Sequence, residues 1–76
     1  MPMREFRDAA GTLWRVWSTV PARGMLLSPE LEHGWLTFES SEERRRLAPV
    51  PADWDRASPK ELERLCRRAH QVKRTR

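Results

Sequence analysis

Cys66 and His70 stand four residues apart, about one helical turn, so a helix would bring a thiol and an imidazole onto one face. With a carboxylate and His33, such a pair has the donor types of a zinc site, and alone it has those of a nucleophile and its base. The surrounding residues argue for a plainer assignment. Leu62, Leu65, Cys66 and Ala69 recur at helical spacing, so Cys66 belongs to an apolar stripe. A thiol there has a raised pKa and is a small core residue, with His70 a solvated cation in the last turn. Asp53 and Asp55 flank Trp54 and read as solvated turn residues rather than cation ligands. The three glycines are isolated, which excludes a glycine-rich phosphate loop, and no G-x-S-x-G elbow is present. The sequence assigns no catalytic residue, no metal ligand and no cofactor.

The richer signal is tryptophan beside arginine. Trp14-Arg15-Val16-Trp17, Gly34-Trp35-Leu36-Thr37-Phe38 and Arg44-Arg45-Arg46-Leu47 alternate like strands. Strand alternation puts Arg15, Trp17, Trp35 and Thr37 on one face, joined by Arg44 and Arg46 if residues 43–48 pair with the strand before them. Such a face can stack bases and meet phosphates. It can equally be a sheet whose indoles lie under arginine stems, or an interface hot spot for a protein. A second basic surface is expected on the outward face of a C-terminal helix, at Arg64, Arg67 and Arg68.

The elements that position these residues follow from composition and periodicity. Strands are expected at about 4–8, 12–20, 35–39 and 43–48. Phe6 points inward in the first, and the second carries a tryptophan on each face. Gly11 supplies the first turn. Ser28-Pro29-Glu30-Leu31 reads as a short helix start that Gly34 ends. Residues 42–48 suit a short helix or the second arm of a hairpin, and the hairpin is favoured because Leu47 then joins Leu36 and Phe38. Residues 49–57 form an extended linker whose Trp54 packs across the end of the core. Ser58-Pro59-Lys60-Glu61 is a capping box that opens a helix at about 59–71, with a Glu63–Arg67 pair on its surface and a frayed basic tail at 72–76. The expected fold is α+β: a small antiparallel meander of three to four strands followed by one amphipathic helix packed on one sheet face. A five-stranded SH3-like barrel is the less favoured alternative.

The 76 residues make one domain, 1–76. A chain of this size buries roughly 60–65% of its extended surface and holds a core worth about 3–5 kcal/mol net, with little room for a separate deep cleft. A single cysteine rules out an internal disulfide and fits a reducing, cytoplasmic setting. No apolar run approaches membrane-spanning length, and the first eight residues have mixed charge without an apolar core, so neither a membrane segment nor a signal peptide is expected. The formal net charge is +4, and every charge after Glu63 is positive, which favours polyanions or acidic protein surfaces.

The run Trp14-Arg15-Val16-Trp17, then Gly34-Trp35-Leu36-Thr37-Phe38-Glu39-Ser40, Arg45-Arg46-Leu47-Ala48-Pro49-Val50-Pro51 with Trp54, and Glu61-Leu62-Glu63-Arg64-Leu65-Cys66 resembles a group of small uncharacterised bacterial proteins. The resemblance covers most of the chain. It implies a free-standing bacterial protein and carries no activity, ligand or site residue with it. The functional expectation is a small non-enzymatic binding module, accessory or regulatory, that contacts nucleic acid (RNA or DNA) through Arg15, Trp17, Trp35, Arg44, Arg46, Arg64, Arg67 and Arg68. The alternative is a protein–protein module or small subunit using the exposed Trp/Arg sheet face. No membrane and no small-molecule substrate are expected. An enzyme would need Cys66 exposed, with a lowered pKa.

Overall fold

A computed structural model of the chain describes residues 3–20 and 34–72. The expected helix start at 28–31, His33 and the basic tail 73–76 lie outside the described residues. Five strands form one antiparallel sheet in sequence order: β1 (Met3–Arg7), β2 (Leu13–Thr19), β3 (Trp35–Glu39), β4 (Arg44–Leu47) and β5 (His70–Val72). One helix, α1 (Pro59–Arg68), lies between β4 and β5 in sequence.

The strands form where β-branched and aromatic residues alternate with polar ones. Their register is set by what that alternation buries. Phe6 lies opposite Trp14, Val16 opposite Phe38, and Leu36 opposite Leu47. These six side chains, with Trp54 and with Leu62, Leu65 and Cys66 of α1, make one buried cluster. Phe6 and Phe38 meet edge to face, with ring centroids 6.3 Å apart. α1 packs against β1 and β4. A register slip of one residue would expose this whole set, so the pairing is strongly specified.

The turns are built from side chains suited to them. Asp8 closes the β1–β2 connection: its Oδ1 accepts from Ala10 N and Thr12 N, each at 2.9 Å. Ser40 does the same for the β3–β4 hairpin, where its Oγ accepts from Glu42 N and Glu43 N at 3.2 Å. The hairpin reading of 43–48 therefore holds. Gly34 enters β3 at φ 96°, and a Cβ there would sit 2.7 Å from the Thr19 carbonyl oxygen, so both conformation and space demand glycine. Ser58 caps α1, accepting from Glu61 N at 3.1 Å, with Pro59 at the first position. The Glu61 carboxylate turns toward Arg64, 3.4 Å away, rather than serving as the expected return half of a capping box. Trp54 sits in a 3₁₀ turn, Trp54–Arg56, inside the expected linker, and is buried at the end of the core as anticipated. Arg4 Nη1 donates to the Asp55 carbonyl at 2.8 Å and ties β1 to this turn.

The chain departs from the expected fold near its end. The helix stops at Arg68, not 71. Ala69 is extended, with φ −73° and ψ 150°, and its N–H folds back to the carbonyls of Leu65 and Cys66. His70–Val72 then forms β5 along the edge of β4, giving five strands instead of three or four. The apolar stripe that holds α1 to the sheet runs out at Ala69, and unpaired backbone groups on the β4 edge offer hydrogen bonds to the next three residues. Edge pairing overrides a weak local helix preference.

The buried cluster leaves little margin in so small a chain. Leu36 is fully buried and Leu13 is 40% exposed. Leu36→Ala is expected to lose about 2–5 kcal/mol, comparable with the whole stability, and Leu13→Ala to change it by less than about 0.5 kcal/mol; urea denaturation followed by circular dichroism checks both.

Candidate binding surface

The sheet has two unequal faces. Phe6, Trp14, Val16, Leu36, Phe38, Arg45 and Leu47 point toward α1. The intervening residues form the other face, away from α1. Their registers line up in rows across the strands. One row reads Glu5, Arg15, Glu39, Arg44 and Val72. The next reads Met3, Trp17, Thr37, Arg46 and His70. Trp35 lies beside them, opposite Thr19. The five sheet residues expected to share a face, Arg15, Trp17, Trp35, Arg44 and Arg46, are thus brought together.

The charges on this open face are arranged in a way the arginines alone do not reveal. Arg15 Nε lies 3.3 Å from Glu5 Oε2, with the two side chains 57% and 50% exposed. Arg44 Nε donates to Glu39 Oε2 at 3.1 Å. Across four strands the row alternates minus, plus, minus, plus. The exposed Glu5–Arg15 pair contributes at most about 1 kcal/mol to folding, while the Glu39 and Arg44 side chains are only 23% and 36% exposed. The larger effect of the two pairs is on the field above the face, which they neutralise along that row. Arg46 differs. Its guanidinium carbon lies 4.9 Å from the Trp35 ring centroid, and it has no carboxylate partner among the described residues. Trp35 is covered to 8% exposure and Thr37 to 6%. Trp17 is half-buried and makes no ring contact or hydrogen bond among the described residues.

The helix arginines stand elsewhere. α1 covers the opposite face, so Arg64, Arg67 and Arg68 are separated from Trp17 and Arg46 by the thickness of the sheet. Arg67 Nη2 lies 3.1 Å from Glu63, as expected for that i,i+4 pair, and Arg64 faces Glu61. Arg68 is exposed without an ion-pair partner among the described residues. The eight residues expected to bind a partner therefore form two surfaces, not one.

The Cys66–His70 pair is dismantled. Cys66 is 3% exposed beneath the sheet, while His70 lies in β5 beside Arg46 on the open face. Among the described residues no group of three metal-ligating side chains exists. Burial pushes the Cys66 thiol up to about 11, against the opposing pull of Arg45. Arg45 is the polar link between sheet and helix. Its guanidinium sits 4.9 Å from the Trp14 ring centroid, bonds both Glu43 carboxylate oxygens at 3.1 Å, and donates to the Cys66 carbonyl at 3.0 Å. Beside it, Trp14 Nε1 donates to Asp8 Oδ2 at 2.9 Å, and Ala9 N donates to Glu63 at 2.8 Å. This corner has no free reactive group; each polar side chain in it already holds another.

Three open-face residues escaped the sequence reading. Glu5 and Glu39 were visible as i±2 neighbours of Met3 and Thr37, but nothing in the sequence pairs them with specific arginines before the register is known. His70 was hidden by its assignment to the helix. No family model matches the chain, and no curated protein or solved structure shows significant similarity to it. No helix among the described residues is long and apolar enough to cross a membrane.

The titrations have signed consequences. The hydrogen bonds from Trp14, Thr12, Ala10 and Gly11 hold the Asp8 carboxyl below its ordinary value near 3.8. Its contribution is present above about pH 4 and is lost as pH falls through the lower folded value, so melting temperature should drop in that acid range and Asp8→Asn should flatten the drop. The raised thiol works the other way. Its contribution is full below the ordinary value of 9.0 and is lost as pH rises toward about 11. Iodoacetamide at pH 8 is expected to label Cys66 only after denaturant is added; rapid labelling of the folded chain would contradict its burial.

Proposed function

We propose that this protein is a non-enzymatic binding module whose open sheet face docks another protein. The observation that carries the reading is the alternating row Glu5, Arg15, Glu39 and Arg44 beside the half-buried Trp17. Single-stranded nucleic acid calls for a cationic track interleaved with free aromatic faces. Here two of the three arginines expected to bind on this face, Arg15 and Arg44, stand against carboxylates, and one indole lies under the third, Arg46. A surface of mixed, locally paired charge around an amphipathic indole is what protein partners use, with tryptophan and arginine as anchors. The non-enzymatic part rests on a buried thiol of raised pKa, separated from the described histidine by the sheet. The lone cysteine supports a reducing, cytoplasmic setting.

A second reading keeps nucleic acid as the partner, and Arg46 on Trp35 favours it together with the unpaired Arg68. Such binding would be dominated by phosphate contacts and would weaken steeply with salt. A titration with mixed-sequence single-stranded RNA, then DNA, followed by tryptophan fluorescence at low and near-physiological salt, separates the two. Under the protein-docking reading the fluorescence stays unchanged at low salt. Quenching that is reversed by salt and abolished by Arg46→Ala would give the face to nucleic acid instead.

A further inference from the structure

We infer that the edge strand β1 pairs with β1 of a second copy of this chain, antiparallel, about a two-fold axis beside Phe6 and perpendicular to the sheet. The contact lies on the rim of the sheet, not on its open face, and does not depend on the docking reading of that face. The backbone decides which residues point outward. Ser40 N donates to the Glu43 carbonyl at 2.9 Å, so these two belong to a hydrogen-bonded pair. Such pairs alternate along an antiparallel ladder, so Glu39 turns its N–H and C=O away from β4 and toward Arg15 on β2. Arg15 then has none left for β1, and Glu5 opposite it turns its own groups outward. The end of the ladder agrees. Asp8 N donates to the Thr12 carbonyl at 3.1 Å, which leaves the Arg7 carbonyl, on the same peptide, pointing away from β2. Met3, Glu5 and Arg7 thus present their backbone groups to the edge, and among the described residues nothing pairs with those groups there. All three residues are exposed.

The side chains choose the register. With the axis beside Phe6, Glu5 stands opposite Arg7 of the second copy, and Arg7 opposite its Glu5. Both are pairs of outward-pointing residues, so each closes backbone hydrogen bonds in both directions. Both also set opposite charges across the junction, on the face away from α1. The next pair out, Arg4 and Asp8 of the second copy, is opposite in sign too, with each group already held in its own chain by the Asp55 carbonyl and the Trp14 indole. Moving the axis by one residue puts Glu5 against Glu5 or Arg7 against Arg7. An isologous contact has to be self-complementary, and the Phe6-centred register is. Charges on an edge normally keep other strands away. Alternating charges do so out of register and admit a second copy in one register. Arg7 is available for the pairing: its Nη1 donates to the Gly11 carbonyl at 3.0 Å, and it has no carboxylate partner among the described residues. Phe6 is already 4% exposed within its own chain, so the contact adds little apolar burial. One strand wide, it falls below the roughly 1,200 Å² of a standard interface, and the dimer is weak and salt-sensitive.

The test exchanges the charges. Sedimentation equilibrium at low salt is run on the wild type, on Glu5→Lys, on Arg7→Glu and on an equimolar mixture of the two variants. The wild type is expected to approach twice the 9.0 kDa chain mass as concentration rises. Each variant sets like charges across both junctions, and its self-association should weaken at least about tenfold. The mixture restores opposite charges at both junctions and should recover the wild-type affinity, which misfolded variants could not do. Amide hydrogen exchange of the wild type, compared at low and high concentration, reads the same contact without a substitution. The Glu5 and Arg7 amides should slow at least about tenfold in the concentrated sample while those of β5 do not change. A wild type that stays monomeric, a mass that climbs past the dimer, or slowing at β5 in place of Glu5 and Arg7 overturns the inference. So does self-association undiminished in both variants. The open face is read separately by the RNA titration.

Discussion

Among the described residues one helix is available to cover one sheet, and side chains on a strand alternate between its faces. From that constraint the rest of the molecule follows. Phe6, Trp14, Val16, Leu36, Phe38 and Leu47 occupy one parity of the strands and α1 buries them. The opposite parity is left with whatever the sequence supplies, and the described residues supply Trp17, Trp35 and paired charges. A one-residue slip would exchange the two sets, so the register that protects the core also composes the open face. Core and surface are specified together.

Polar groups near the core are satisfied at its corner by very few residues. Asp8 shapes a turn and takes the Trp14 indole N–H. Arg45 points into the core side of the sheet, where an arginine would normally be costly, and its charge meets both oxygens of Glu43 while its stem and plane lie on Trp14. The same guanidinium caps a carbonyl near the end of α1, where positive charge is also favoured by the helix dipole. Trp14 and Trp17 are thus two residues of one strand with opposite fates. The first is locked by two polar neighbours, Asp8 and Arg45, and the second is left half-covered.

Strong periodic signals were legible before the fold was known: the β2 alternation with an indole on each face, the hairpin at Ser40–Glu43, the Ser58 cap, and Trp54 at the end of the core. So was the grouping of Arg15, Trp17, Trp35, Arg44 and Arg46, because parity alone determines it. What failed was long-range. Residues 70–72 have no strand signature; the β4 edge makes them a strand. That miss kept His70 on the helix; the plainer reading of Cys66 as core and His70 as exposed matches the structure, but His70 is exposed on β5, not in a last helical turn. The ion-pair row also needs register, since Glu39 is 24 residues from Arg15 in sequence and directly opposite it in space. A count of arginines suggested a cationic surface; the pairing shows alternating charge.

The central claim is that the sheet face away from α1, with its alternating Glu5, Arg15, Glu39 and Arg44, serves a protein partner rather than a nucleic acid. A low-salt titration with mixed-sequence single-stranded RNA, followed by tryptophan fluorescence, tests it most directly. The account predicts unchanged fluorescence. Quenching that salt reverses and Arg46→Ala abolishes would contradict it.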